Sequence, residues 1–177
     1  MNKNRTEAFS DGVIAIIITI MVLELTPPAT PRLEELGELA PLLARYLLSF
    51  VYVGIYWVNH HALMARVRGI DGAALWANLH LLFWMSLIPY VTAWAGEYPM
   101  APIPVALYGV ILMMCALSFM LLSWRLDVAD ARIPSGEERR KNGVSVLLYA
   151  VAVGLSFVYP PLGAAVHAGL ALFWIRP

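Results

Sequence analysis

The stretch Arg5-Thr-Glu-Ala-Phe9-Ser10-Asp11-Gly12-Val-Ile-Ala-Ile16-Ile-Ile-Thr19-Ile20-Met-Val-Leu23-Glu24 begins polar and then turns apolar and strongly β-branched. Spanning a bilayer takes about 20 mainly apolar residues at about 1.5 Å each, and this run, taken as residues 8–25, approaches that length. Lys3 and Arg5 ahead of it imitate a secretory signal. However, Asp11 interrupts its start, and Thr26-Pro27-Pro28 follows with no small-residue cleavage pattern. The segment is expected to remain as a first transmembrane helix.

Working outward, five more apolar segments follow, near 40–64, 73–95, 102–124, 143–159 and 161–175. Residues 1–177 therefore read as one all-α, polytopic membrane subunit of six transmembrane helices. The last two segments meet at Pro160-Pro161, which predicts a tight helical hairpin, the alternative being one kinked span plus a surface segment. Of the 177 residues, 60% are hydrophobic and 14% charged, against roughly 45–50% and roughly 25% in soluble domains. The formal net charge is zero, so no global field argues for nucleic acid. The lone Cys115 lies inside an apolar run, which excludes an intrachain disulfide and predicts a small buried hydrophobe.

Charge placement sets the orientation. Lys3, Arg5, Arg66, Arg68, Arg125, Arg132, Arg139, Arg140, Lys141 and Arg176 fall on the N-terminal side; Arg32 and Arg45 fall on the other. The positive-inside rule then puts both termini in the cytoplasm. The opposite loops carry Glu34, Glu35, Glu38 and Glu97. The longest cytoplasmic stretch, Arg125 to Asn142, is mixed in charge around Pro134-Ser135-Gly136 and reads as a solvated linker.

Ionisable groups at membrane depth are costly and usually face a protein interior or a water-filled path. Three antiparallel helices bring Ser10, Asp11, Trp57, Asn59, His60, His61, Asn78 and His80 to one level. Two readings are open and compatible: a cytoplasmic vestibule or proton-sensitive site, and an interhelical hydrogen-bond clamp with Arg5 as counter-charge to Asp11 or Glu7. His60 and His61 point about 100° apart on a helix, so they do not share a metal ion easily, and the i, i+4 pairing of a zinc site is absent. There is no nucleophile motif, phosphate-binding glycine loop or paired-carboxylate scaffold. No enzyme activity, metal or cofactor is expected.

Ile16, Ile20 and Leu23 follow i, i+4, i+7 and form one stripe, with Thr19 beside it. Such a stripe can face lipid or other helices. In a bundle of identical chains it can instead ring an axis, each apolar ring forming a dry constriction that gates by dewetting. Glu24 would then stand near the outer mouth, where a carboxylate ring concentrates cations.

The run Arg5-x-x-x-Phe9-Ser10-Asp11, continued by Gly12-Val-Ile-Ala-Ile16 and Thr19, resembles the signature of the transmembrane protein 175 family of lysosomal and prokaryotic potassium channels. Tyr56-Trp57-x-Asn59-His60-His61 and Asn78-Leu-x-x-Leu-Phe-x-x-Ser86-x-x-Pro89 are similar to that family's second and third helices. The later three helices match only in hydropathy. The single copy points to the prokaryotic form. The resemblance implies a passive, potassium-preferring cation channel in the cell membrane, a homotetramer around four first helices, without a re-entrant filter loop. It further implies a constriction at Ile16 with layers near Ile20 and Leu23, and a role for Thr19 in ion preference. Arg5, Phe9, Ser10, Asp11, Trp57, Asn59, His60 and Asn78 would form the network around the pore helix. The alternatives are a proton channel or proton-coupled transporter using Asp11 and His60, His61 and His80, and a non-conducting structural or signalling membrane protein.

Overall fold

The computed structural model describes residues 3–28, 37, 39–130 and 135–175, and every regular element among them is a helix. These are α1 (Lys3–Leu23), α2 (Ala40–Arg66), α3 (Gly72–Ser86), α4 (Ile88–Glu97), α5 (Pro102–Ala129), α6 (Gly136–Val158) and α7 (Pro160–Ile175). The halves α3 and α4 make one span of 26 residues. With it, α1, α2, α5 and α6 are long and apolar enough to cross a membrane, and α7 is a shorter apolar helix. The fold is thus the expected all-helical membrane architecture of six helices. Of the charges used for orientation, Arg32, Glu34, Glu35, Glu38, Arg132 and Arg176 lie outside the described residues, as does Pro134.

The third span is interrupted where its backbone ladder fails. Pro89, early in α4, has no N–H to give to the carbonyl one turn back, so the ladder breaks at Leu87. The Leu87 N–H bonds instead to Trp84 O at 3.2 Å. At the α6–α7 corner, Pro160 starts the last helix immediately after Tyr159. The hairpin closes tightly because residue 163 is glycine; a methyl there would run into Ser156 Oγ and the Ala152 carbonyl.

Helix ends depart most from expectation. α1 begins at Lys3, not near residue 8, and most of the 125–142 stretch is helix, not linker. Two local causes account for the second difference. Leu126 and Asp127 are buried at 0% and 4% exposure, and Arg66 Nη2 donates to Asp127 Oδ1 at 3.2 Å, holding α5 in register beyond its apolar run. Downstream, Ser135 and Glu138 form a reciprocal capping box: Glu138 N–H donates to Ser135 Oγ at 3.1 Å and Ser135 N–H to Glu138 Oε2 at 2.9 Å. Two of the first-turn donors are thereby satisfied, and α6 starts well before its apolar residues.

The core is formed where α5 packs on α3, α4 and α6, and α2 on α4. Tyr52, Leu81, Met85, Leu112 and Leu122 are at most 1% exposed there. α1 packs on α2, α3 and α4, at the border of the bundle. Cys115 is fully buried among apolar side chains, as its position in the chain implies.

Candidate functional site

The first helix has two unlike faces. Thr6, Ser10, Ile14, Ile17 and Met21 are buried. Steps of four, four, three and four residues keep them on one side of a 3.6-residue helix. Roughly a third of a turn away, Phe9, Ile16, Ile20 and Leu23 are 55%, 58%, 41% and 78% exposed within the subunit. Arg5, Gly12 and Thr19 share that exposed stripe. The Thr19 hydroxyl donates to Ile16 O at 2.8 Å, which satisfies its proton locally and leaves oxygen lone pairs on the open face. Glu24 follows the last helical residue and is exposed.

A directional hydrogen-bond chain ties the buried face to its neighbours. His60 Nε2 lies 2.8 Å from Asn78 Oδ1, Asn78 Nδ2 donates to Ser10 Oγ at 2.9 Å, and Ser10 Oγ donates to Thr6 O at 2.9 Å. Because Asn78 Oδ1 only accepts, the bonded His60 nitrogen carries the proton. The three side chains are 1%, 2% and 0% exposed, so α1, α2 and α3 are joined where water does not compete.

A second pair of links sits on the α1–α2 seam. Trp57 Nε1 donates to Asp11 Oδ1 at 3.0 Å, and His61 Nδ1 is 3.1 Å from Glu7 Oε1. Glu7 and Asp11 are one turn apart on α1, and Trp57 and His61 one turn apart on α2. Antiparallel packing therefore matches both rungs at once. The adjacent histidines serve different partners for the reason read from sequence, their 100° separation: His61 takes α1, His60 takes α3.

The eight residues expected at one level do not all face one another. His80 points away from Asn78, because two residues is 200° around α3. Its Nε2 accepts from Trp84 Nε1 at 3.1 Å, and its Nδ1 lies 2.9 Å from Ser118 Oγ on α5. Asn59 also turns away, donating to Ile55 O at 2.8 Å and lining a cleft toward α5, α6 and α7. Arg5 is exposed, and among the described residues it makes no ion pair with Asp11 or Glu7. Among the described residues, no three His, Cys, Asp or Glu groups stand close enough to hold a metal.

One cluster was missed in the sequence. At the opposite end of the bundle, Arg45 lies 4.7 Å over the Tyr108 ring, Ser49 Oγ is 2.9 Å from Tyr108 OH, and Thr92 Oγ1 is 2.7 Å from Ser49 Oγ. Tyr52 OH donates to His167 O at 2.6 Å. Arg45, Ser49, Tyr52 and Tyr56 recur at i, i+4, i+7 and i+11 on α2. That periodicity marks a buried polar stripe and could have been found.

Residues 5–89 match the family described as Endosomal/lysosomal potassium channel TMEM175. A potassium channel of Chryseobacterium sp. (strain P1-3) is 42% identical over 181 residues, covering 100% of this chain and 94% of the relative. A potassium channel of Streptomyces collinus is 35% identical, covering 98% and 92%. The human endosomal/lysosomal proton channel TMEM175 is 34% identical over 80 residues, 38% of this chain and 16% of that protein. The crystal structure of a lysosomal potassium-selective channel TMEM175 homolog from Chamaesiphon minutus superposes with a TM-score of 0.87 at 30% identity, covering 98% of this chain and 96% of that one.

Proposed function

Because the chain belongs to the TMEM175 family of ion channels and not to an enzyme family, we propose that it is a passive, potassium-preferring channel of the prokaryotic cell membrane. In this reading four copies surround one axis, each contributes α1 to the pore, and both termini are cytoplasmic. The observation that carries it is the division of α1. One face is tied to its own subunit through Ser10, Asp11 and Glu7, while Ile16, Ile20 and Leu23 stay exposed there. A helix anchored along one side and bare along the other suits a pore wall, and the bare side is where copies would meet.

Ile16 forms the narrowest ring, with Ile20 and Leu23 as further apolar layers. A ring of this kind closes by shedding water and needs only a small rotation of α1 to reopen. Thr19 sits between layers with its oxygen available to a dehydrating cation, and Glu24 supplies a carboxylate at the outer mouth. The links on the buried face make α1 stiff against that rotation.

The test is flux from potassium-loaded liposomes. The parent is expected to pass potassium down its gradient, and Ile16→Asn to pass it faster and less selectively. Unchanged flux in that variant beside an active parent rejects the gate. A proton-conducting reading is favoured by one observation, the contact of His61 with Glu7 at 3.1 Å next to Asp11. Opposed pH and potassium gradients separate the two, since a reversal potential that follows pH would establish proton conduction. No current in either gradient would leave a non-conducting membrane protein.

A further inference from the structure

The interruption of the third span opens on a face that its own subunit leaves bare. In a regular helix the Leu87 N–H would donate to the Phe83 carbonyl; here it donates to Trp84 O at 3.2 Å, and Phe83 O takes the Ser86 hydroxyl at 2.7 Å instead. Phe83, Ser86 and Tyr90 are all exposed on that side. Because α3 supplies 15 of the 26 residues in the span, the break lies near the middle of the bilayer. Irregular backbone at that depth is tolerated where protein or a water-filled cavity covers it, and not against lipid. The bare face therefore calls for a cover.

Its position beside α1 identifies the cover. α1 lies in the groove between α2 and the α3–α4 span and packs on both. Asn78 faces α1 through Ser10, and the stripe Leu79, Phe83, Ser86 and Tyr90 lies roughly a third of a turn around from it, on the flank next to α1. On the other flank α2 exposes Leu47, Phe50 and Trp57, and Trp57 is the residue that reaches Asp11 of α1. Gly54 sits on this second stripe between Phe50 and Trp57. A Cβ there would meet nothing within 4 Å, so the stripe carries a notch that opens outward.

We propose that the bare α3–α4 face of one copy packs against the notched α2 stripe of the next, with Phe83 seated at Gly54 and Tyr90 beside Leu47. This rests on the pore reading above: with α1 turned to a common axis, its two flanks meet between neighbours, a head-to-tail contact that closes into a ring. Rotation about the membrane normal preserves depth, so the levels of facing residues are read from one subunit. His60 and Asn78 share a level, being hydrogen-bonded. Counting outward, Phe83 is five residues from Asn78 and Gly54 six from His60; Tyr90 is twelve from Asn78 and Leu47 thirteen from His60. At about 1.5 Å per residue, each pair matches in depth to within about 2 Å. A ring seated over a glycine lets the two backbones approach closely, as small residues do between membrane helices. The same approach covers Ser86 and the freed Phe83 carbonyl.

Cross-linking of the full chain in membranes with a short bis-maleimide tests this, since the native Cys115 is fully buried and stays silent. Gly54→Cys combined with Phe83→Cys, and separately Leu47→Cys combined with Tyr90→Cys, are expected to give a ladder of dimers, trimers and tetramers on a denaturing gel. Each single variant is expected to remain monomeric there, because in a head-to-tail ring a residue on one flank never meets its own copy. Gly54→Leu finds open space in its own subunit, so it should keep the parental helix content and lose the tetramer in native mass spectrometry. Should the Gly54→Cys pair not assemble, the Leu47→Cys pair carries the test. Dimers from any single variant, a double variant that is tetrameric yet does not cross-link, or a Gly54→Leu protein that stays tetrameric overturns the interface. Potassium flux is read on the same samples: a full ladder without flux supports the interface while rejecting the channel reading, so the two fail separately.

Discussion

Removing Asn78 is the most direct way to measure what holds α1 in place. In Asn78→Leu the number and branching of side-chain heavy atoms are kept, but the His60 Nε2 proton loses its acceptor at a site 1% exposed, and Ser10 Oγ loses its donor. Leaving a buried donor unsatisfied costs about 1–3 kcal/mol. Polar contacts between membrane helices are worth less when both partners are removed, about 0.6 kcal/mol on average and up to about 1.7. A loss near 2 kcal/mol in a chain of this size lowers the melting temperature by about 4–8 °C. His60→Leu alone should cost a similar amount, because Asn78 Oδ1 is then orphaned. The double variant should cost less than the sum by about 1 kcal/mol or more, since the two groups that faced each other are both gone and only Ser10 Oγ is left without its former partner. Fluorescence-detected melting of the detergent-solubilised protein closes this double-mutant cycle. Additivity within about 0.5 kcal/mol, the behaviour of independent sites, would refute the idea that His60 and Asn78 act as one link. Liposome flux on the same four proteins shows whether loosening that link also frees the pore helix; all three variants should leak more than the parent.

Three further outcomes follow from particular contacts. Gly163→Ala inserts a methyl against Ser156 Oγ and the Ala152 carbonyl and should cost about 1–3 kcal/mol, read as a lower melting temperature with the helix content of the folded protein unchanged. Ser135→Ala removes the capping hydroxyl of α6 and should cost about 1 kcal/mol, seen as faster amide exchange confined to the first turn of that helix. Glu24→Gln, at an exposed position just past α1, should lower potassium flux at low ionic strength, with the difference vanishing as salt approaches about 1 M, where the screening length is about 3 Å. A deficit that persists in high salt would place Glu24 in direct contact with the ion, not at a distant mouth.

Much of this protein follows from the order of its residues. Six apolar segments with charges between them leave a chain few options other than membrane helices, because backbone groups in hydrocarbon must be satisfied within the segment. The sequence signature from Arg5 to Asp11 and the stripe from Ile16 to Leu23 also lie within one helix, so spacing alone places them. Tertiary packing decided which polar residues belong together. His60, His61, Asn78, Asn59 and His80 share a depth, yet depth does not fix direction. Steps of one or two residues turn a side chain by 100° or 200°, and only the positions of α1, α3 and α5 around α2 determine what each one meets. Thus His60 joins Ser10 through Asn78, His61 reaches Glu7, and His80 turns to Ser118 on α5. The helical extensions beyond Trp124 and ahead of Gly143 were equally hidden from hydropathy. Their stability comes from Arg66 on another helix and from a capping box, whereas hydropathy registers only the apolar residues that a bilayer would bury.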